Sequence, residues 1–283
     1  MTFVSSRRLD VIVPPLSGES PASVTVRGLP VHGTLRVGAA VATGLHQVDS
    51  PVVDDEGSLY VTYSGTRGQQ VPVSIFRIRP NGTRETFSAS IANPTSMALD
   101  PEGRLFVSSR FEGAVYRVTP DGQAERFAGD LGTACGLAFA PDGTLFVGDR
   151  SGTVFAVDRQ GRARTLATLP SSVAAFHLAL RGEALFVTAP TLSTSDPVFR
   201  VSLDGRVDVV SRGFGRPQGL AVGPDGVLYV VDALAGASGL YAVTDGAPPR
   251  LVLAASGLIG VTFDRSGRQF VCTADTVFRL PAA

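Results

Sequence analysis

Asp49 and His177 are the two side chains whose type and position best suit acid–base chemistry. Asp49 directly precedes Ser-Pro-Val at 50–52, and His177 opens an apolar run. At the position of His177, five equivalent segments carry small residues: Ser50, Ser96, Gly136, Gly219 and Gly260. A carboxylate or an imidazole can act as a general base or orient a water molecule. We treat both as candidate catalytic residues; the alternatives are a carboxylate that caps backbone amides and a hydrogen-bonded core histidine.

A second set of polar side chains has the character of a binding site. Arg110 and Arg150 follow corresponding apolar runs and are suited to bind a carboxylate or a developing oxyanion. The alternative is that each is neutralised in a salt bridge, with Asp149 or Glu112 as the partner. The other candidates for substrate binding are residues at equivalent strand starts or strand ends: Tyr63, Thr95, Cys135, Gln218 and Asp232.

Cys135 offers a different chemistry, because a thiolate activated by a histidine is a strong nucleophile. The segments of Cys135 and His177 are consecutive, so a Cys135–His177 pair is one hypothesis and an inert buried thiol is the other. The only other cysteine is Cys272. Two cysteines in distant segments predict neither a disulfide framework nor a zinc site.

The segments that carry these residues are copies of one repeating unit. Residues 132–167 contain four short apolar runs separated by turn sequences such as Pro-Asp-Gly at 141–143, which is typical of four strands joined by tight turns. The second run recurs with spacings of 46, 40, 40, 43 and 41 residues at Leu59, Leu105, Leu145, Leu185, Leu228 and Gln269. A period of about 40 residues with four strands per unit predicts an all-β fold, a six-bladed β-propeller with four-stranded antiparallel blades. The Asp-Gly carboxylates are assigned to the turns rather than to a site.

The two ends of the repeat region are predicted to meet in the last blade. The final repeat has three runs, whereas residues 34–43 match a fourth run that no blade precedes. We expect residues 34–43 to supply the outer strand of blade 6 and so close the ring. This divides the chain into an N-terminal extension at 1–32 and a propeller at 33–283. Longer loops at 64–70, 189–197 and 233–239 indicate that the face they share is the functional one.

Composition argues against several classes of function. The formal net charge is zero, with 25 basic and 25 acidic residues, so nucleic acid is not an expected partner. Neither a membrane-spanning run of about 20 apolar residues nor a signal peptide is recognisable, so we expect a soluble cytoplasmic protein with no membrane partner. The chain has Arg but no Lys, which is typical of a GC-rich bacterial genome and excludes Schiff-base chemistry. Nothing in the sequence indicates an oligomeric state.

The repeated Gly-Leu-Ala-φ-x-Pro-Asp-Gly-x-Leu-Tyr/Phe-Val unit resembles the NHL repeat and the SMP-30/gluconolactonase-like propellers over residues 34–280. The resemblance implies a small polar organic ligand at the mouth of the central channel, and a lactone or an ester as substrate if the protein is a hydrolase. Asp49 or His177 would then be the general base, and Arg110 and Arg150 would stabilise the anion. Residues 1–32 are similar to the last strands of an IPT/TIG module. The alternative is a non-catalytic NHL-type propeller that recognises a peptide or a sugar.

The same resemblance implies a divalent cation, often calcium, held by the residues that precede the innermost strands. Asp49 in Asp-Ser-Pro-Val corresponds to a glutamate ligand of that family. The other five positions hold residues without a carboxylate: Thr95, Cys135, Phe176, Gln218 and Ile259. A hard cation prefers several oxygen ligands. We therefore predict that the metal-ligand set of the family is incomplete here, and we assign no cofactor.

Overall fold

Each predicted repeat forms a four-stranded antiparallel sheet in the computed structural model of the protein, and the described residues contain six such sheets. The structure describes residues 38–88, 90–174, 176–234 and 237–281, and the backbone of four strands within residues 2–36. This part of the chain contains no helix, and hence no helical segment that could cross a membrane. The predicted all-β, six-bladed propeller is confirmed.

The four strands of blades 1 to 5 follow one another in the chain, from the axis to the rim. Blade 1 consists of Val52–Val53, Leu59–Thr62, Ile75–Ile78 and Arg84–Ser88, and blade 2 of Pro94–Leu99, Leu105–Ser109, Ala114–Val118 and Ala124–Ala128. Blade 3 consists of Ala134–Phe139, Leu145–Asp149, Thr153–Val157 and Ala163–Thr168, and blade 4 of His177–Arg181, Ala184–Thr188, Asp196–Ser202 and Val207–Phe214. Blade 5 consists of Pro217–Val222, Leu228–Asp232, Gly239–Val243 and Arg250–Ala254. Blade 6 begins with Gly260–Phe263, Gln269–Cys272 and Val277–Arg279.

The hydrophobic core lies between neighbouring blades, because their inner strands are buried on both faces. Phe106 of blade 2 illustrates the packing: its ring lies edge to face with Phe127 at 5.1 Å and with Phe139 of blade 3 at 4.9 Å. Side-chain hydroxyls also join the blades near the axis, where Ser108 Oγ donates to the carbonyl of Cys135 at 2.6 Å. Each innermost strand contacts that of the next blade, so the ring fixes how the strand starts are arranged around the axis.

The Asp-Gly turns have the structural role that the sequence predicted. Asp100 Oδ1 accepts hydrogen bonds from the backbone N–H groups of Glu102 and Arg104 at 3.1 and 2.8 Å. Gly103 in the same turn has a φ of 79°, which favours glycine. The turn joins the first two strands of blade 2, so it lies at the far end of the blade from Thr95. Its carboxylate is therefore remote from the predicted site.

The outer strand of blade 6 comes from the N-terminal side of the propeller. Ala39–Ala42 pairs antiparallel with Val277–Arg279, with Ala42 opposite Val277 and Ala40 opposite Phe278. The innermost strands of blades 6 and 1 are in contact as well. Within the segment 34–43 that was expected to fill this place, only the second half pairs with blade 6.

Residues 34–36 have a different partner from the one predicted. They belong to His32–Arg36, which pairs with Pro21–Thr25 in a separate two-stranded hairpin. A shorter hairpin joins Thr2–Ser5 to Arg8–Asp10. Apart from these backbone pairings, the predicted extension at 1–32 and its likeness to an IPT/TIG module lie outside the described residues.

Candidate functional site

A cavity of about 270 Å³ lies on the axis of the ring. All six blades contribute to its lining, which consists of Gln47, Val48, Thr95, Arg110, Cys135, Arg150, Ala174, Gln218 and Ile259. Most of these residues lie at the starts of the innermost strands or just before them, and two follow the second strands of blades 2 and 3. The cavity therefore opens on the face that carries the enlarged loops.

Three of the predicted binding residues reach the cavity from β-bulges at the strand starts. Thr95, Cys135 and Gln218 each lie where the pairing register of an innermost strand shifts. A bulge adds one residue to a strand and turns a side chain that would otherwise follow the pleat. The repeat places the bulge at the same point in blades 2, 3 and 5, so the three side chains meet at one level of the channel.

Arg110 and Arg150 line the same cavity without a carboxylate partner. No Asp or Glu among the described residues lies within 4 Å of either guanidinium. The predicted partners are engaged elsewhere: Asp149 accepts from the backbone N–H of Thr133 at 2.7 Å, and Glu112 accepts from the Tyr116 hydroxyl. The interpretation of these arginines as salt-bridged is thus wrong, because both carboxylates are used within their own loops.

The two guanidiniums are held by neutral acceptors instead. Arg110 Nη2 donates to Ser64 Oγ at 3.2 Å, and Arg150 Nη2 donates to the carbonyl of Val173 at 3.4 Å. Burial lowers the pKa of Arg110, and the positive charges of Arg150 and Arg67 lower it further. An arginine nevertheless stays protonated. The mouth of the cavity is therefore a region of uncompensated positive charge.

Asp49 and His177 form a buried pair across the axis. His177 Nδ1 lies 2.8 Å from Asp49 Oδ1, and both side chains are buried. Asp49 belongs to the segment that leads into blade 1 and His177 to the first strand of blade 4, on opposite sides of a six-membered ring. Burial alone would raise the pKa of Asp49, but the charge and hydrogen bond of His177, aided by the N–H of Ser50, bring it below its ordinary value.

Glycine and serine at the equivalent positions make room for this pair. Pairing of Leu178 with Val187 matches that of Leu137 with Val147, so His177 occupies the place of Gly136. A Cβ on Gly136 would lie 2.4 Å from the carbonyl oxygen of Phe176. The close approach of neighbouring strands thus excludes large side chains at the other positions and leaves the axis to one imidazole.

The two candidate catalytic residues are not part of the cavity lining. His177 Nε2 is buried and has no hydrogen-bond partner among the described residues. The Cys135–His177 nucleophile is not formed, because the Nδ1 of His177 bonds Asp49 and burial raises the pKa of Cys135 to about 12. Cys135 is therefore a neutral thiol in the cavity wall.

Two predicted binding residues lie outside the cavity. Tyr63 packs edge to face against Phe76 at 6.5 Å and against His46 at 6.2 Å. The carboxylate of Asp232 accepts from the backbone N–H groups of Gly215 and Arg216 at 3.0 and 2.8 Å, which makes it a loop cap. Tyr63 follows the second strand of blade 1 and Asp232 ends that of blade 5, but neither side chain is directed into the cavity.

Gln47 is a cavity residue that the sequence did not indicate. Its amide nitrogen donates to the carbonyl of Thr273 at 3.3 Å, whereas its Oε1 has no partner in the part of the chain that the structure describes. The segment before the two-residue strand Val52–Val53 is irregular, so the repeat gives no equivalent position for it. Because Oε1 is itself buried, it is an unsatisfied acceptor behind the cavity surface rather than one presented to a ligand.

The residues of the channel do not fit a divalent cation. Asp49 is the one carboxylate at the six equivalent positions, and it is paired with His177. Phe176 is buried in the core between blades 3 and 4, and Arg110 and Arg150 would repel a cation. The described residues hold no cluster of three His, Cys, Asp or Glu side chains that could bind a metal.

Comparison with known proteins shows the fold alone. No protein-family model and no curated protein matches the sequence. A gluconolactonase from Xanthomonas campestris superposes with a TM-score of 0.70 at 17% identity over 86% of this chain and 88% of its own. Virginiamycin B lyase from Staphylococcus aureus superposes with a TM-score of 0.61 at 14% identity, over 87% of this chain and 98% of its own. An auxiliary nutrient binding protein from Bacteroides thetaiotaomicron superposes with a TM-score of 0.63 at 13% identity, over 83% of this chain and 69% of its own.

Proposed function

We propose that the propeller binds a small organic anion in its axial cavity without the help of a divalent metal. The observation that carries the proposal is the pair of guanidiniums, Arg110 and Arg150, which line the cavity without a carboxylate partner among the described residues. Charge-assisted hydrogen bonds from arginine to a carboxylate are strong and directional. An anionic ligand would supply the negative charge that no described carboxylate provides in this cavity.

Three other residues of the lining support a ligand with hydroxyl groups. Thr95, Gln218 and Gln47 are neutral polar side chains of the lining, beside the apolar Val48, Ala174 and Ile259. A volume of about 270 Å³ lies just below the usual range for ligand pockets, roughly 300 Å³ upward, so the ligand must be small. These features fit a small polyhydroxy carboxylate, the class to which the hydrolysis product of a sugar lactone belongs.

Calorimetry with D-gluconate as the probe tests the proposal. We expect Arg110→Ala and Arg150→Ala each to weaken binding about tenfold or more, since each removes a charged donor from the cavity. Arg164→Ala, an exposed arginine on the outer strand of blade 3, is the matched control and should leave binding unchanged. If the wild type and both cavity variants bound D-gluconate with equal affinity, the proposal would be contradicted.

Hydrolysis of a lactone or an ester is a second candidate function, favoured by the Asp49–His177 pair. When the imidazole is neutral, a carboxylate that holds Nδ1 fixes the tautomer and leaves Nε2 as the basic atom. Arg110 and Arg150 would stabilise the carboxylate as it forms. Because His177 lies outside the lining, this function also requires a path for water or substrate to Nε2.

Turnover of δ-gluconolactone and of aryl esters in the presence of EDTA tests this second function. His177→Gln keeps a hydrogen-bonding side chain but removes the base, so we expect it to abolish turnover while gluconate binding persists. Turnover that survives His177→Gln would assign the reaction to other groups. Binding of neutral sugars or peptides that is insensitive to Arg110→Ala would instead favour the non-catalytic interaction module.

A further inference from the structure

The mouth of the axial cavity continues into a second, smaller hollow of about 200 Å³. The two share Arg110 and Arg150, and the outer hollow adds Arg67, Phe111 and Thr133. Arg67 comes from the enlarged loop of blade 1, residues 64–70, whereas Phe111 and Thr133 come from blades 2 and 3. Three guanidiniums from three neighbouring blades therefore surround one space.

The three positive charges have no carboxylate partner among the residues that the structure describes. Both Arg67 and Arg150 act on Arg110, whose pKa burial already lowers. In the described part of the chain, no carboxylate lies within 4 Å of any of the three. Glu112 and Asp149, the acidic residues next to Phe111 and Arg150 in sequence, are bonded to Tyr116 and to backbone N–H groups. Mutual repulsion of this kind is relieved when an anion enters the space.

The loop that carries Arg67 is fixed by a buried amide. Asn93 Oδ1 accepts from the N–H of Gly68 at 2.6 Å, and its Nδ2 donates to the carbonyls of Ser64 and Thr66 at 2.6 and 2.7 Å. Asn93 is fully buried, and its bond to Ser64 is buried as well, whereas the bonds to Thr66 and Gly68 are partly exposed. The ring of Phe111 packs on the same loop, since a Cβ on Gly68 would lie 3.0 Å from it. The arginine is thus placed at the hollow by a built support.

We propose that this outer hollow binds a phosphate monoester group, so that the ligand of the protein is a small phosphorylated polyhydroxy compound. Its phosphate would lie among Arg67, Arg110 and Arg150, and its hydroxyl-bearing part would extend into the axial cavity. A phosphate offers three terminal oxygens and a charge near −2, which three guanidiniums match better than they match a carboxylate. The inference deepens the proposed function, because it rests on the same two cavity arginines.

Calorimetry with three probes tests it: D-gluconate, glucose 6-phosphate and glucose 6-sulfate, the last a tetrahedral monoanion of similar shape. We expect wild-type protein at about pH 7.5 to bind the phosphate at least tenfold more tightly than the sulfate. Arg67→Ala should lower the affinity for glucose 6-phosphate at least tenfold and the affinity for gluconate less than threefold. Arg67→Lys should restore part of the phosphate affinity, and Arg164→Ala should change nothing.

The outcomes separate this inference from the proposed function. Phosphate and sulfate bound equally, or an Arg67→Ala effect equal for phosphate and gluconate, would overturn the phosphate site while an Arg110-dependent gluconate site remains. Absence of glucose 6-phosphate binding to the wild type would overturn it as well. Phosphate binding that depends on Arg67, with no binding of gluconate, would support the outer hollow and overturn the carboxylate proposal.

Discussion

His177 Nδ1 and Asp49 Oδ1 lie 2.8 Å apart although their residues are 128 positions apart and belong to opposite blades. The contact exists because Gly136 and its equivalents allow the innermost strands to approach closely, which leaves the axis free for one long side chain. The pair joins the two halves of the ring at its centre. The pair also engages Asp49, the one carboxylate among the six equivalent positions that could have bound a cation at this level of the channel.

Removal of the imidazole should destabilise the propeller strongly. In His177→Ala the ionised Asp49 remains buried without its partner, and breaking a buried pair from one side costs roughly 3–5 kcal/mol. Urea unfolding monitored by circular dichroism measures this loss. Ser171→Ala, an exposed serine in the loop before blade 4, is the control. A loss below about 1 kcal/mol would show that the pair contributes little to the folded state.

The stability that Asp49 contributes should depend on pH in a defined direction. Its pKa is below the ordinary 3.8 in the folded protein, so the unfolded chain binds the proton more readily. The contribution is then fully present above pH 3.8 and is lost as pH falls through the lower folded value. The difference in free energy of unfolding between wild type and Asp49→Asn should therefore shrink from about pH 5 to about pH 3. A difference that stayed constant would contradict the lowered pKa.

Cys135 should be unreactive although it lines the cavity. Burial raises its pKa to about 12, so the thiolate is scarce at pH 8. Cys272 is buried as well, and its pKa is also raised by burial. We expect Ellman's reagent to label neither thiol in the native protein within minutes and both in urea. Rapid labelling that disappears in Cys135→Ala would revive the nucleophile hypothesis.

The sequence predicted the fold and several residues of the cavity lining for a physical reason that particular residues show. Thr95, Cys135 and Gln218 recur at one place in the repeat, and the bulge there turns each into the channel. Tyr63 and Asp232 do not line the cavity, because the ends of second strands lead into loops whose lengths differ. Hydrogen bonds within the loops determine the direction of such side chains, and the sequence repeat does not predict those bonds.

Contacts across the ring could not be predicted from the sequence for another reason. A repeat predicts neighbours within a blade and between adjacent blades, but His177 and Asp49 meet across the axis. Their distance depends on the diameter of the ring, which follows from six blades and small axial residues together. The unpaired state of Arg110 was also not predictable, since Glu112 and Asp149 are close in sequence and turn elsewhere.

Asn93 should act as a positioning residue for Arg67. Its φ of 46° suits glycine, so Asn93→Gly removes the three side-chain hydrogen bonds without backbone strain. We expect faster amide exchange at 64–70, at least a fivefold loss of glucose 6-phosphate affinity and little change for gluconate. Arg67→Ala serves as the comparison, because it should weaken phosphate binding without affecting amide exchange. If Asn93→Gly loosens the loop but leaves phosphate affinity intact, the loop does not place Arg67 at the ligand.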